Sequence, residues 1–211
     1  MAVLLPTTTP TEAELEFDRQ LDALAQTGLP ALLDVKEECF RARLEPLRDL
    51  LARLPSAGEG IPFVVVVPDA PAEPLLAAVH TPDGAGGTPL APDELARFRP
   101  LPELDVPAAP YLLLGVDAGA DNRGVPPAEA VRRMTGAGRT PLTVSEGLAL
   151  LVSDCGLLRS GSCFTLTGSS AGGEDVPALW SGPAGPTLRR WAPASPHPRL
   201  GSASCAGRRA A

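Results

Sequence analysis

Phe63-Val64-Val65-Val66-Val67 and Tyr111-Leu112-Leu113-Leu114-Gly115-Val116 decide the fold of this chain. Both runs are short and almost wholly apolar, and the first carries four consecutive β-branched residues. Helices of ordinary length need ten or so residues, about three turns, whereas buried strands take about four to eight. A strand that is apolar at every position, rather than at every second one, needs cover on both faces of its sheet. Two such runs therefore predict buried central strands, with other elements packed above and below.

The cover on one side comes from the N-terminal sixty residues. Thr11 and Glu14 have the spacing of a capping box, with Thr9 as an alternative cap. Phe17, Leu21 and Leu24 then recur on one helical face until Gly28 and Pro30 stop the helix. Asp34 and Glu37 suggest a second capping box. Phe40, Leu44, Leu47, Leu51 and Leu54 follow as an amphipathic stripe, which Pro46 must kink or split and which the stretch from Pro55 to Gly60 ends. These helices form a hairpin whose apolar stripe is core. Short helices are expected at Ala72–Val79, Asp93–Phe98 and Pro126–Met134. Thr143 and Glu146 make a third capping box, opening a helix that runs to about Val152. Beyond residue 160 the pattern changes to short strands, Cys163–Thr167, Val176–Trp180 and Leu188–Trp191, separated by Gly/Pro turns. The expected fold is α+β, an N-terminal helical hairpin packed on a mixed sheet, with a C-terminal part rich in short strands and turns. The expected division is an N-terminal extension over residues 1–14, one α+β domain over 15–206, and a disordered tail over 207–211.

Composition limits function more than it defines it. The chain has 211 residues, enough to bury a core without disulfides or metals. Its 25 Pro and 21 Gly imply many loops and breaks. The net charge of −7 argues against general nucleic-acid or anionic-membrane binding. That charge is uneven: residues 131–211 carry nine basic and four acidic side chains, which leaves room for a local anion site. The four cysteines, Cys39, Cys155, Cys163 and Cys205, include no C-x-x-C pair, so zinc-ribbon chemistry is not indicated and reduced thiols are expected. Neither a signal-peptide pattern nor a stretch long enough to span a bilayer is present, which makes the cytoplasm the expected compartment.

The motifs that carry chemistry are few. Gly168-Ser169-Ser170-Ala171-Gly172 fits G-x-S-x-G, the turn that exposes a nucleophilic serine in many hydrolases. That elbow must be followed by a helix, whereas here Val176-Pro177 opens a strand. Asp175 and His197 follow Ser170 too closely for the strands of that fold to intervene, so a Gly/Ser turn is expected. The loop also lacks the Lys of a phosphate-binding loop. Asp117 to Asn122 departs from a calcium loop at positions 6 and 12 and is read as a turn. His80 lies in a Pro/Gly loop. His197 is more informative: it sits between Trp191 and Arg199, and imidazole beside guanidinium suits an anion pocket. Trp180 and Trp191, the two tryptophans, would supply its apolar walls. From residue 189 onward Arg189, Arg190, Arg199, Arg208 and Arg209 meet no acidic residue, a pattern that fits a solvated basic edge or contact with an acidic protein surface.

Several segments together resemble an uncharacterised actinobacterial family known as a domain of unknown function. They are Phe17-Asp18-Arg19-Gln20, Leu44-Glu45-Pro46-Leu47, Arg139-Thr140-Pro141-Leu142-Thr143 with Glu146-Gly147-Leu148-Ala149-Leu150, Val176-Pro177-Ala178-Leu179-Trp180, and Leu200-Gly201-Ser202-Ala203-Ser204. The resemblance covers about residues 15–207 and implies no activity, cofactor or catalytic residue. The residues themselves point to a non-catalytic binding or interaction module without a cofactor. The alternative is an enzyme or small-anion-binding protein with a site in the C-terminal third, around Ser170, Trp180, Trp191, His197 and Arg199.

Overall fold

The structure, a computed structural model, describes residues 10–54, 60–158 and 163–211. Four helical segments come first: α1 (Glu12–Gln26), α2 (Leu29–Leu32), α3 (Glu37–Leu44) and α4 (Arg48–Leu51). They lead into β1 (Ile61–Val66), α5 (Ala72–Ala78), the small hairpin β2 (His80–Thr81) and β3 (Gly84–Ala85), α6 (Pro92–Leu95), β4 (Arg99–Pro100) and β5 (Tyr111–Val116). Next are α7 (Pro127–Gly136), β6 (Thr140–Pro141) and α8 (Val144–Ser153). The last third is built from β7 (Cys163–Thr165), β8 (Ser169–Ser170), β9 (Val176–Gly182), β10 (Gly185–Trp191), β11 (Leu200–Ser202), β12 (Ser204–Cys205) and β13 (Gly207–Ala210). The α+β class expected from the sequence is the class observed. Among the described residues, no helix is long and apolar enough to cross a membrane.

The two apolar runs pair antiparallel, Phe63 opposite Leu114 and Val66 opposite Tyr111, in a sheet of order β1-β5-β13. Strand alternation assigns their side chains to two cores. Phe63, Val65 and Leu112 face the N-terminal helices and pack with Phe17, Phe40, Leu44 and Leu47. Val64, Val66, Tyr111 and Leu113 face the other way, onto α5, α8 and the inner face of a second sheet through Leu148, Phe164, Leu179 and Leu188. That second sheet, β10-β9-β7-β11, is the mixed one: β7 and β11 run parallel and the remaining pairs are antiparallel.

Only β5 is central in the first sheet; β1, also expected there, is an edge. Its open side is closed by a side chain. Gln20, 1% exposed on α1, donates from Nε2 to the Phe63 carbonyl at 3.0 Å and accepts from the Val65 N–H at 2.8 Å. The amide thus stands in for a neighbouring strand, which lets a helix rather than another strand cover the edge.

Local signals held where the chemistry was local. Thr11–Glu14 and Thr143–Glu146 both form complete capping boxes. The Pro46 break appears as a 3-10 turn over Glu45–Leu47 between α3 and α4. The Asp34–Glu37 box does not form. Asp34 sits at φ 54°, in the left-handed region that Asp tolerates better than most residues, whereas an N-cap needs extended backbone. Lys36 takes that place, and Glu37 and Glu38 in the first turn complement the helix dipole instead. Thr9 and Pro55–Glu59 lie outside the described residues, as does most of the expected N-terminal extension, residues 1–9; α1 starts at Glu12, inside it. The tail expected to be disordered from Gly207 instead forms β13, paired antiparallel with β5 from Gly207 opposite Leu114 to Ala210 opposite Tyr111.

β13 is held by a buried ion pair. Arg208 donates to both carboxylate oxygens of Glu146, with Nη2 to Oε2 at 2.8 Å, and their side chains are 5% and 0% exposed. Tyr111 donates its hydroxyl to Glu146 at 2.7 Å, and Arg208 also reaches the Thr140 hydroxyl and the Pro141 carbonyl. Burial opposes the Arg208 charge, yet hydrogen bonding and attraction to Glu146 outweigh it and raise its pKa. Burial, and then the neighbouring carboxylate, push the Tyr111 hydroxyl well up, so it remains a neutral donor.

Two stability outcomes follow from this packing. Phe40, fully buried in the core that the N-terminal helices share with the first sheet, loses its ring in Phe40→Ala, which is expected to cost about 3–5 kcal/mol in urea denaturation. Gln20→Leu keeps the volume but orphans the Val65 N–H and the Phe63 carbonyl, at about 1–3 kcal/mol for each buried group. A loss below about 0.5 kcal/mol, the range of an ordinary surface substitution, would show that the edge of β1 has another partner.

Candidate functional site

β9 and β10 form a hairpin in which Trp180 lies opposite Thr187, Ala178 opposite Arg189, and Val176 opposite Trp191. Directly opposed residues share a face, as do alternate residues on one strand, so Trp180, Ala178, Arg189 and Trp191 all project from the outer face. The inner face carries Leu179 and Leu188 into the main core. Ala178 leaves room between the two indoles, whose ring centroids are 5.0 Å apart and tilted by 42°. Cys163 of β7 and Leu200 of β11 complete a small outer apolar cluster with Ala178 and Trp180, against which Trp191 packs.

The Pro-rich segment between β10 and β11 lies over this cluster and is pinned at several points. The Trp191 Nε1–H donates to the Ser195 carbonyl at 2.8 Å. The His197 carbonyl accepts from Gly124 and Leu200, and the Pro193 carbonyl accepts from Ala128 near the start of α7. His197 is thereby brought edge-on to both tryptophans, with centroids 4.9 Å from Trp180 and 5.7 Å from Trp191. Its Nδ1 accepts from the Arg199 backbone N–H at 3.2 Å, which fixes the ring's orientation and leaves Nε2 as the other polar edge.

The electrostatics are positive. The Arg189 guanidinium lies 5.6 Å from the Trp180 ring centroid, in cation–π range. Burial pushes the Cys163 thiol pKa up, outweighing the Ser181 backbone hydrogen bond and the nearby Arg199, Arg189 and Arg123, all of which favour the thiolate. Cys163 is therefore a packing residue and a poor nucleophile. Arg189 and Arg199 are exposed and, among the described residues, neither is paired with a carboxylate. One further group is unusual. Trp180 is 6% exposed and its Nε1–H has no hydrogen-bond partner among the described residues. Buried donors are nearly always satisfied, so this N–H, with Arg189 over the same ring, is a candidate ligand contact.

Of the five residues singled out in the sequence, four belong to this region: Trp180, Trp191, His197 and Arg199. Ser170 does not join them. It lies on β8, opposite Arg99 of β4, and its hydroxyl accepts from the Gly172 N–H at 3.1 Å. The neighbouring Ser169 accepts from the Val144 N–H at 3.0 Å, adding a second cap to α8. A Cβ on Gly168 would stand 2.7 Å from the backbone of Pro141 and Leu142. The G-x-S-x-G residues are thus explained by close backbone packing at Gly168, capping by Ser169 and a left-handed turn at Gly172. The Asp117 loop is likewise structural: Asp117 accepts from the Gly119 N–H at 2.7 Å, and the Asn122 amide engages both the N–H and the carbonyl of Ser202. Among the described residues, no group of three or more His, Cys, Asp or Glu is placed to hold a metal.

Arg189 was missed as a site residue because it was read as one arginine of a basic edge. Strand parity carried the signal: once Val176–Trp180 and Leu188–Trp191 are paired through a Gly/Pro turn, residues 189 and 191 share a face. No curated protein and no solved structure matches the chain. A family model described as a family of unknown function, DUF5701, matches residues 23–211, and the chain belongs to that family.

Proposed function

We propose that this chain is a non-catalytic binding protein, and that it holds a small anion on the outer face of its C-terminal sheet. The observation that carries this reading is the convergence of Trp180, Trp191 and His197 beside Arg189 and Arg199, with the Trp180 N–H buried and unpartnered. The indoles give rigid apolar walls at low entropic cost. The guanidiniums supply charge, and His197 offers a ring nitrogen whose partner nitrogen is already engaged. Small-ligand sites combine such walls with a few placed polar groups. The positive sign over residues 131–211 in an otherwise acidic chain would draw an anion to this side. Binding rather than catalysis is favoured because the thiol at the centre, Cys163, is held in its protonated form by burial.

Trp180 and Trp191 are the two tryptophans of the chain, so selectively excited tryptophan fluorescence reports on this site alone. Titration with phosphate, sulfate and simple carboxylates is expected to give a saturable change for at least one of them. The His197→Ala/Arg199→Ala double variant should weaken that binding tenfold or more, about 1.4 kcal/mol. A native protein that responds to none of the panel, or a double variant with the same titration curve, removes the reading.

A further inference from the structure

A groove lies on the helix-facing side of the first sheet, where α4 meets β5 and β13. Leu50, Leu54, Leu112 and Leu114 form the floor of a groove of about 370 Å³, with Arg53 and Arg209 at its sides. Pockets for small organic ligands begin at about 300 Å³. The opening has a cause in the sequence. Arg208 turns toward Glu146, so strand alternation sends Gly207 and Arg209 to the other face, the face of the N-terminal helices. Gly207 lies opposite Leu114. It has no side chain to cover that leucine, and a Cβ placed on Gly207 would meet nothing within 4 Å. Leu50, Leu54 and Leu114 therefore stay only partly buried against the helical core.

The charges beside this floor are one-sided. Most arginines near carboxylates in this chain are paired with them, as at Arg19, Arg41, Arg43, Arg48, Arg97 and Arg190. Arg53 and Arg209 are in none of the ion pairs or side-chain hydrogen bonds of the described residues, and among those residues no carboxylate lines the groove. An apolar floor with two unpaired guanidiniums matches an amphiphile that has an aliphatic chain and an anionic head. A neutral alcohol would leave the charges unused, and a bare anion would leave the leucines wet.

We propose that this groove binds an aliphatic carboxylate, its chain along Leu50, Leu54, Leu112 and Leu114 and its carboxylate between Arg53 and Arg209. The site is separate from the tryptophan cluster, and either can fail without the other.

Isothermal titration calorimetry with decanoate below its micelle concentration tests this directly. Saturable binding is expected, with decanol and acetate each at least tenfold weaker. The Arg53→Gln/Arg209→Gln double variant should lose at least tenfold in decanoate affinity with an unchanged melting temperature, since both side chains are exposed. Gly207→Val fills the open face beside Leu114 with a good strand former, and should abolish binding without lowering the melting temperature. Equal affinity for decanoate and decanol would overturn the proposal, as would a double variant that binds like the native protein or an absence of saturable heat. Retention on phosphatidylglycerol vesicles without binding of free decanoate would overturn it too, assigning the face to a lipid surface.

Discussion

The fold depends on one buried ion pair. Glu146 is fully buried at the first turn of α8, where a carboxylate is favoured by the helix dipole and by the Thr143 N–H it caps. That is not enough to hold a charge out of water. Arg208 supplies the counter-charge through two hydrogen bonds and Tyr111 supplies a neutral donor, so the carboxylate is left with no bare oxygen. Removing one partner from such a pair leaves a buried, uncompensated charge, a far larger penalty than the net worth of the pair. The consequence is positional. Arg208 belongs to β13, Tyr111 to β5 and Glu146 to α8, and Arg208 also reaches β6. The network fixes how all four elements meet.

That placement governs both candidate sites. The last residues of the chain pass through three ladders in turn: β11 beside β7, β12 beside β6, and β13 beside β5. The segment bearing His197 and Arg199 runs directly into this series. Arg208 anchors the far end of this series, while the segment over Trp180 and Trp191 is pinned by its own bonds to Gly124, Ala128 and the Trp191 indole. The same latch sets the side-chain parity of β13, turning Arg208 inward and leaving Gly207 and Arg209 on the groove above Leu112 and Leu114.

What could be read from the sequence was local or periodic. Phe17, Leu21 and Leu24 fall on one helical face whatever lies beneath them, and Thr143 with Glu146 caps a helix from within three residues. The two apolar runs announced strands because no exposed strand has that composition. The features that were missed depend on distant partners. Gln20 and Asn122 act as surrogate strands, and nothing within a few residues of either reveals a β-edge. Gly207-Arg208-Arg209-Ala210 has the composition of a solvated end. It is a strand because Tyr111 to Leu114 offer a ladder and because Glu146, 62 residues away, needs a cation. Trp180, Trp191, His197 and Arg199 were legible as a set because tryptophan and histidine are so sparse in this chain that their proximity in one short region stood out. Ser170 was selected by a motif whose first glycine serves close backbone packing and whose second takes a left-handed turn.

The latch is tested most directly by a double-mutant cycle on the pair, measured by urea denaturation with Arg208→Met, Glu146→Gln and the two combined. Arg208→Met is expected to lose about 3–5 kcal/mol, because it strands a buried carboxylate. The double variant should recover a large part of that loss, since Gln keeps the capping acceptor and removes the charge. Losses that simply add, with Arg208→Met within about 1 kcal/mol of the native protein, would contradict the account and show that β13 is held by its ladder to β5 alone.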